Sequence, residues 1–411
     1  MSFCGCKRLK NAKTAKFGEK LQFVAGGNRI QLFCPNCDTA GHYVGRMRKQ
    51  LSSVTVWPGG DAILADASAL KILLAMTLVT THGLTVLHGL SDVATGLIPV
   101  VPVFFFISGY YLYPSAANHS TRAFWTLRYF RLLPVMVAAI VATALPYAVT
   151  GQLGHPTDVL VWIAAQLSVF QAYFPQSLVT PTVPAHNGAV WFISAILLIY
   201  ATLPIVRRAE RSMPWFMGFA FTASLCVYLL TIATQASGGN FEGAMHSSAS
   251  EVLLATFLSP AKFAWMVYGG CLARKYAQFL FQHRVLLTLT FCSAIAVAVS
   301  ELLGIRTGGR AGICPPWYFP GYIAVWLLIG ASLPNMRDFP NISIGLFVWH
   351  VPVFNLLLIA GYPSLWIAAP LVFCAALISS FVIEKPVAVL VETLRGAQTV
   401  ARRNAERLGD S

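Results

Sequence analysis

The sequence predicts an all-α, polytopic integral membrane protein with about ten transmembrane helices and a small cysteine-containing extension at its N terminus. Of the 411 residues, 56% are hydrophobic and only 11% are charged, which is far from the composition of a soluble globular protein. Apolar runs of about 20 residues, long enough to cross a bilayer, recur ten times along the chain. They lie near residues 68–88, 96–113, 132–150, 188–206, 214–234, 252–273, 285–304, 317–333, 342–361 and 365–388.

A further apolar stretch at 157–174 is predicted not to cross, because Gln166 and Gln171 interrupt it and a polar loop follows it. The distribution of basic residues supports this reading, since positive charge collects on the cytoplasmic side of a membrane. With ten spans and cytoplasmic termini, four basic patches share that side, whereas an eleventh span would move the later ones outside. The patches are Arg122/Arg128/Arg131, Arg207/Arg208, Arg274/Lys275 and Arg402/Arg403.

The net charge of +14 is then mainly a consequence of topology, and no nucleic-acid partner is needed to explain it. Residues 1–60 are polar and basic, with no short apolar segment of the kind that defines a signal peptide. We therefore divide the chain into a cytoplasmic extension at 1–60, a membrane domain at 65–390 and a cytoplasmic tail at 391–411.

The extension contains two cysteine pairs, Cys4/Cys6 and Cys34/Cys37, on either side of LQFVAGGNRIQLF. Two alternating runs around Gly-Gly-Asn predict a β-hairpin. Four thiolates could hold a structural zinc ion in a zinc-ribbon-like module, although only one residue separates the first pair where two to four are usual. A disordered basic extension, or a stretch upstream of the true start, would explain the same residues.

Two ionisable residues mark the first span, KILLAMTLVTTH. Eleven residues separate Lys71 from His82, so both lie on one helix face, about 16 Å apart along the axis. Lys71 can reach the cytoplasmic headgroups, but His82 lies past the middle of the bilayer, where an ionisable side chain is costly and generally marks a site. Membrane anchoring would also explain Lys71, and a hydrogen bond to a neighbouring helix would also explain His82.

The next spans add a second basic feature. Ser108 and Gly109 interrupt VPVFFFISGYYLYP and allow close helix packing. Arg128 and Arg131 then lie three residues apart at the cytoplasmic entry of the third span, with Pro134 expected near the start of that helix. Two guanidinium groups at this spacing can clamp a phosphate or carboxylate, although anchoring again competes as an explanation.

Together these motifs resemble those of the membrane-bound acyltransferase 3 family, and six of them occur in the family's order after residue 65. They are Lys71 to His82 for its basic-x10-His signature, Phe105, Phe106, Ser108 and Gly109 for FFxxSG, Arg128, Arg131 and Pro134 for Arg-x-x-Arg-x-x-Pro, HNGAVWFISAILLIYATLP, SIGLFVWHVPVF and FVIEKP. One position departs from the pattern, since Ile196 stands where many members carry a glutamate.

The resemblance implies an O-acyltransferase of a bacterial inner membrane that moves an acyl group, most often acetyl, from cytoplasmic acyl-CoA to a hydroxyl of a glycan. Lys71, Arg128 and Arg131 would hold the phosphates of the donor, and His82 would act as general base. A transient acyl-histidine is the competing route.

Further residues are candidates for the acceptor side. Ser108, Asn187, Trp191, Trp349 and His350 are predicted to contact substrate, although an interfacial aromatic belt would also explain Trp191 and a neighbouring helix could satisfy His350. Near the end of the last span, Glu384 and Lys385 are expected to pair with each other.

The main alternative is a transporter or flippase whose intramembrane ionisable residues form a substrate or proton path. Such folds usually contain internal repeats, and the two halves of this sequence show no convincing one. A membrane-anchored sensor built on the cysteine module would leave the deep histidine unexplained.

Overall fold

The computed structural model describes residues 22–26, 29–33, 67–89, 100–149, 155–171, 191–236, 249–280, 283–302, 316–333 and 342–387, with a few single positions between them. The chain divides into two compact units, Met1–Trp57 and Pro58–Ser411. The first unit contains the antiparallel strands β1 (Gln22–Gly26) and β2 (Arg29–Phe33), whose register pairs Gln22 with Phe33. The predicted hairpin is thus confirmed.

The four N-terminal cysteines, Cys4, Cys6, Cys34 and Cys37, lie outside the described residues. Within the described part of the chain, no group of three or more histidine, cysteine or acidic side chains could hold a metal ion. The zinc site therefore stays a prediction.

The secondary-structure elements of the second unit are helices in the part of the chain that the structure describes. Its helices are α1 (Ser68–His88), α2 (Val100–Asn118), α3 (Thr121–Val149), α4 (Pro156–Gln166), α5 (Trp191–Ser212), α6 (Phe216–Ala236), α7 (Ala249–Lys275), the single turn α8 (Ala277–Leu280), α9 (His283–Leu302), α10 (Phe319–Ser332), α11 (Ser343–Ile359) and α12 (Leu365–Ser379). A 3-10 turn at Pro316–Tyr318 precedes α10, and a π-helical turn at Ser380–Glu384 continues α12.

Five helical segments in the described part of the chain are long and apolar enough to cross a membrane: α1, Val100–Ala117 of α2, Thr121–Leu145 of α3, α5, and the segment from α12 to Val387. Parts of α6 and α9, and all of α11, are shorter apolar helices. A helical protein with several membrane-spanning segments is confirmed, while the count of ten remains a prediction.

The length of helix α4 agrees with the prediction that the apolar stretch at 157–174 does not cross. Its 11 residues extend about 16 Å at 1.5 Å per residue, well short of a bilayer core of about 30 Å. The described residues that follow it up to Gln171 are not helical. The side chain of Trp162 instead packs against Ile140 of α3.

Helix α3 begins earlier than hydropathy indicates. The hydroxyl of Ser120 accepts a hydrogen bond from the backbone N–H of Ala123 at 3.2 Å and caps the helix at Thr121. Pro134 consequently lies in the interior of α3, and its expected position near the helix start is wrong. Arg128 and Arg131 likewise belong to the body of the helix.

The helices pack as two groups that share α3. Helix α2 lies against α5 and α7, and the aromatic side chains of Phe105 and Tyr110 are fully buried there. Helices α1, α11 and α12 form the second group, around the buried ring of Phe354. Helix α3 contacts both α5 and α11, so the Arg128/Arg131 segment lies where the two groups meet.

Three of the predicted basic patches lie at one end of this bundle. Arg208, in the last turns of α5, donates a hydrogen bond at 3.1 Å to Thr121 at the start of α3. Lys275, the last residue of α7, lies 2.7 Å from the carboxylate of Glu210 on α5. The arrangement agrees with a single basic face of the membrane, and its assignment to the cytoplasm stays a prediction.

Candidate functional site

Helix α1 is continuous from Ser68 to His88 and therefore carries Lys71 and His82 on one face, as the sequence predicts. The Lys71 ammonium lies 4.7 Å from the centre of the Tyr111 ring on α2, a distance at which an aromatic face attracts a cation. Three turns further along α1, His82 meets α11. One helix face thus connects a cationic end with an imidazole inside the bundle.

The central contact of the site joins two histidines. The Nδ1 atom of His82 lies 2.8 Å from the Nε2 atom of His350, and the ring centroids are 4.9 Å apart. His82 remains partly exposed, whereas His350 is completely buried. The sequence predicts both histidines inside the membrane but gives no sign that they touch.

His350 is enclosed by its own helix. Its Nδ1 atom lies 3.3 Å from the backbone oxygen of Leu346, one turn earlier on α11. The rings of Phe347 and Phe354 lie 6.1 Å and 5.5 Å from it, centre to centre. Of the pair, only His82 therefore has exposed surface.

The two arginines of α3 lie within a polar cluster, which we call the arginine cluster: Arg128, Arg131, Ser108, Tyr200 and Glu384. The Tyr200 hydroxyl is hydrogen-bonded to Ser108 and lies within electrostatic range of both guanidinium groups. Arg131 also acts on the carboxylate of Glu384, in the π-helical turn after α12. The cluster therefore joins α2, α3, α5 and the end of α12.

The arginines are held in place by contacts outside the cluster as well. Arg128 donates a hydrogen bond from Nη2 to the Ser115 hydroxyl at 3.3 Å, and its guanidinium carbon lies 5.4 Å from the centre of the Phe124 ring. Flat packing on an aromatic ring suits a guanidinium group. Arg128 is thus oriented before any anion binds.

Glu384 and Lys385 do not pair with each other, and that prediction is wrong. The Lys385 ammonium lies 4.0 Å from the centre of the Phe381 ring. Arg131 acts electrostatically on Glu384, whose Oε1 atom is buried without a hydrogen-bond partner among the described residues. Successive residues of a helix point about 100° apart, so these two neighbouring side chains face different surroundings.

The described candidate acceptor residues lie on several different helices. Trp191 begins α5 and packs against Phe263 of α7 at 5.5 Å between ring centroids. Trp349 precedes His350 on α11, and its indole Nε1 is buried without a hydrogen-bond partner in the described part of the chain. Asn187 lies outside the described residues. Ile196, where the family pattern has a glutamate, is buried at 5% exposure.

Sequence reasoning missed the role of the tyrosine pair on α2. Arg274 of α7 donates a hydrogen bond to the Tyr110 hydroxyl at 2.9 Å, and the rings of Tyr110 and Tyr111 are 5.5 Å apart. Tyr111 in turn lies below the Lys71 ammonium. The adjacent tyrosines in SGYYLYP are the available signal, since aromatic faces attract cations.

It also missed a charged cluster around Glu210 of α5. This carboxylate is almost completely buried and lies 2.6 Å from Arg207 and 2.7 Å from Lys275, while the Tyr113 hydroxyl is 3.3 Å from it. The Arg207 guanidinium also lies 4.0 Å from the centre of the Tyr113 ring. Buried charges need such partners, so we regard this cluster as a structural connection between α2, α5 and α7.

Comparison with known proteins supports an enzymatic reading of this geometry. Residues 65–385 match the model of an acyltransferase domain, that of the acyltransferase 3 family. The chain is also 26% identical over 333 residues to Nodulation protein 10 of Rhizobium leguminosarum bv. viciae, an alignment that covers 74% of this chain and 84% of the relative. No solved structure matches the chain.

The family match begins just before α1 and ends at Lys385, directly after the π-helical turn. It includes both histidines of the central contact and every member of the arginine cluster. It also covers well over half of the chain, including four of the five described segments that are long and apolar enough to cross a membrane and most of the fifth. The protein therefore belongs to the acyltransferase 3 family and is a membrane acyltransferase.

Proposed function

We propose that the protein transfers an acyl group, most simply acetyl, from cytoplasmic acyl-CoA to a hydroxyl group of a glycan, with His82 as general base. The observation that carries this proposal is the partly exposed imidazole of His82 inside the bundle, on the helix face that begins at Lys71. In this reading the termini lie in the cytoplasm, and the bilayer is that of a bacterial inner membrane.

Three cations support a phosphorylated donor. These cations are Lys71 on α1 and Arg128 and Arg131 on α3, and both helices pack against α2. A guanidinium group can bind two oxygens of one phosphate at once. From Lys71 to His82 the axial rise is about 16 Å. An extended donor anchored at the basic end of the bundle could therefore bring its thioester to the imidazole.

The proposed reaction needs one base that later acts as an acid. His82 removes the proton of the acceptor hydroxyl as that oxygen bonds to the thioester carbonyl carbon. The carbon–sulfur bond then breaks, and the imidazolium of His82 returns its proton to the departing sulfur. The products are an ester of the acceptor and a free thiol. Attack by His82 itself, followed by transfer of the acyl group to the acceptor, gives the same products.

The acceptor would approach from the face opposite the basic end. Trp191 and Trp349 could pack on the apolar face of a sugar, and Asn187 could bind its hydroxyl groups. Because aromatic rings suit the apolar face of a sugar, we propose a glycan as the acceptor.

The test is a single-turnover assay on purified protein in lipid nanodiscs, with radiolabelled acetyl-CoA and glycan acceptor. We expect His82→Ala to slow release of free CoA roughly 100-fold or more, as removal of a general base does. The matched control is His88→Ala, because His88 is an exposed histidine at the end of the same helix. Equal labelling of glycan by wild type and His82→Ala would refute the assignment of the base.

A further inference from the structure

We infer that His350 fixes the tautomer and orientation of His82, so that the Nε2 atom of His82 is the reactive nitrogen. The catalytic consequence of this arrangement rests on the proposed function, whereas the tautomers of His82 and His350 do not depend on it. It makes His350 a positioning residue that substrate does not touch.

The Leu346 carbonyl determines the tautomer of His350. A carbonyl oxygen can only accept a hydrogen bond, so the Nδ1 atom of His350 that faces it at 3.3 Å must donate. A neutral imidazole carries one proton on its two nitrogens. The Nε2 atom of a neutral His350 is therefore an acceptor.

The neutral form of His350 follows from its surroundings. The side chain has no exposed surface, and the rings of Phe347 and Phe354 enclose it. No carboxylate among the described residues forms a hydrogen bond or ion pair with His350. A charge is strongly disfavoured in such a position, because it loses its hydration without gaining a counterion.

The accepting Nε2 atom of His350 in turn determines the tautomer of His82. The Nδ1 atom of His82 faces the accepting Nε2 atom of His350 at 2.8 Å and so must donate the proton in that bond. His82 then carries its proton on Nδ1, and its Nε2 atom keeps a free lone pair. This arrangement prepares His82 to act as base or nucleophile without first exchanging protons.

His350 thus does what the buried acid does for the histidine of a serine hydrolase: it accepts from Nδ1–H, holds the ring plane and stabilises the imidazolium that forms during catalysis. A neutral imidazole supplies no full charge, so its contribution is mainly orientation and tautomer. The Leu346 carbonyl orients His350 in turn, because it accepts a hydrogen bond from its Nδ1–H.

The first test compares two variants at position 350. In His350→Gln the side-chain oxygen can still accept from Nδ1–H of His82, whereas His350→Phe keeps the ring volume without an acceptor. We expect His350→Phe to lower kcat roughly 10- to 100-fold, the effect of losing one hydrogen bond to an imidazole that becomes charged during the reaction, with the KM for acetyl-CoA unchanged. His350→Gln should recover most of the lost kcat. Wild-type kcat in His350→Phe, or equal losses in both variants at equal thermal stability, would overturn the inference.

The second test reads the protons directly, without substrate. Nitrogen-15 NMR of histidine-labelled protein in lipid bilayers distinguishes protonated from bare ring nitrogens, and His82→Ala identifies the signals of His82 among the nine histidines. We expect a protonated Nδ1 and a bare Nε2 at His82. A protonated Nε2 would overturn the inference while leaving the proposed function intact. The expected tautomer in a protein that consumes no acetyl-CoA would instead count against the proposed function alone.

Discussion

Gly109 of α2 and Gly270 of α7 each lie directly against the backbone of the other helix. A methyl group at Gly109 would overlap the carbonyl oxygen of Val267, and one at Gly270 would overlap that of Phe106. Small residues permit this approach, which strengthens packing between membrane helices. The glycine of the family's FFxxSG element thus has a packing role here.

We expect Gly109→Ala and Gly270→Ala to lower the free energy of unfolding by about 1–3 kcal/mol or more, because neither backbone can yield as a flexible side chain could. Unfolding in detergent, followed by tryptophan fluorescence, measures the effect. Gly218→Ala on α6 is the matched control, since nothing lies within 4 Å of the added carbon. Equal stability of all three variants would contradict the close packing of α2 and α7.

The Glu210 cluster predicts a second loss of stability. Glu210→Gln should lower the free energy of unfolding by about 1–3 kcal/mol. We place it below the usual value for a broken buried pair because the side chains of Arg207 and Lys275 are 23% and 27% exposed and can rehydrate.

A double-mutant cycle with Lys275→Met isolates the ion pair within that cluster. The two changes should be non-additive by about 1 kcal/mol, since each removes a partner of the other. Strictly additive losses would show that Lys275 contributes nothing to holding Glu210.

The arginine cluster predicts how donor binding depends on phosphate. In Arg128→Gln and Arg131→Gln, the KM for acetyl-CoA should rise roughly 10- to 100-fold, the value of a lost charged hydrogen bond. The KM for acetyl-pantetheine, a thioester without phosphates, should not change. Arg208→Gln is the control, because Arg208 is a basic residue at the same end that bonds to Thr121. An equal rise for both donors would assign the two arginines a structural role.

The predicted role of Ser108 in substrate binding can be separated from its contact with Tyr200. If Ser108 acts through Tyr200, then Ser108→Ala, Tyr200→Phe and the double variant should each lower kcat/KM for the acceptor by the same factor, roughly 3- to 10-fold. Steady-state assays with varied acceptor measure this. A rise in acceptor KM in Ser108→Ala alone would instead show direct contact with the substrate.

The sequence predicts those features of the site that lie within one helix. The eleven-residue interval from Lys71 to His82 has a fixed geometry once the segment is helical, and its apolar composition ensures that. The placement of Arg128 and Arg131 on one face of α3 follows from their three-residue spacing in the same way. Hydropathy misplaces the start of α3 because it detects the lipid-soluble core of a helix and not the capped, basic turns that extend beyond it.

Contacts between distant helices could not be predicted in this way. The two histidines are 268 residues apart, and no local pattern specifies which faces of α1 and α11 meet. Arg131 and Glu384 pose the same difficulty, because apolar surfaces in a membrane give little indication of which neighbour each helix chooses.

The π-helical turn at Ser380–Glu384 has a mechanical consequence. A π turn fits one more residue into the space of an ordinary helical turn, so every side chain after it points about 100° away from where a regular α12 would place it. If this turn rewound as regular α-helix with all of its residues kept, Glu384 would be rotated by about 100° away from Arg131. The extra residue of the π turn thus sets the direction of Glu384, the last carboxylate of the membrane domain.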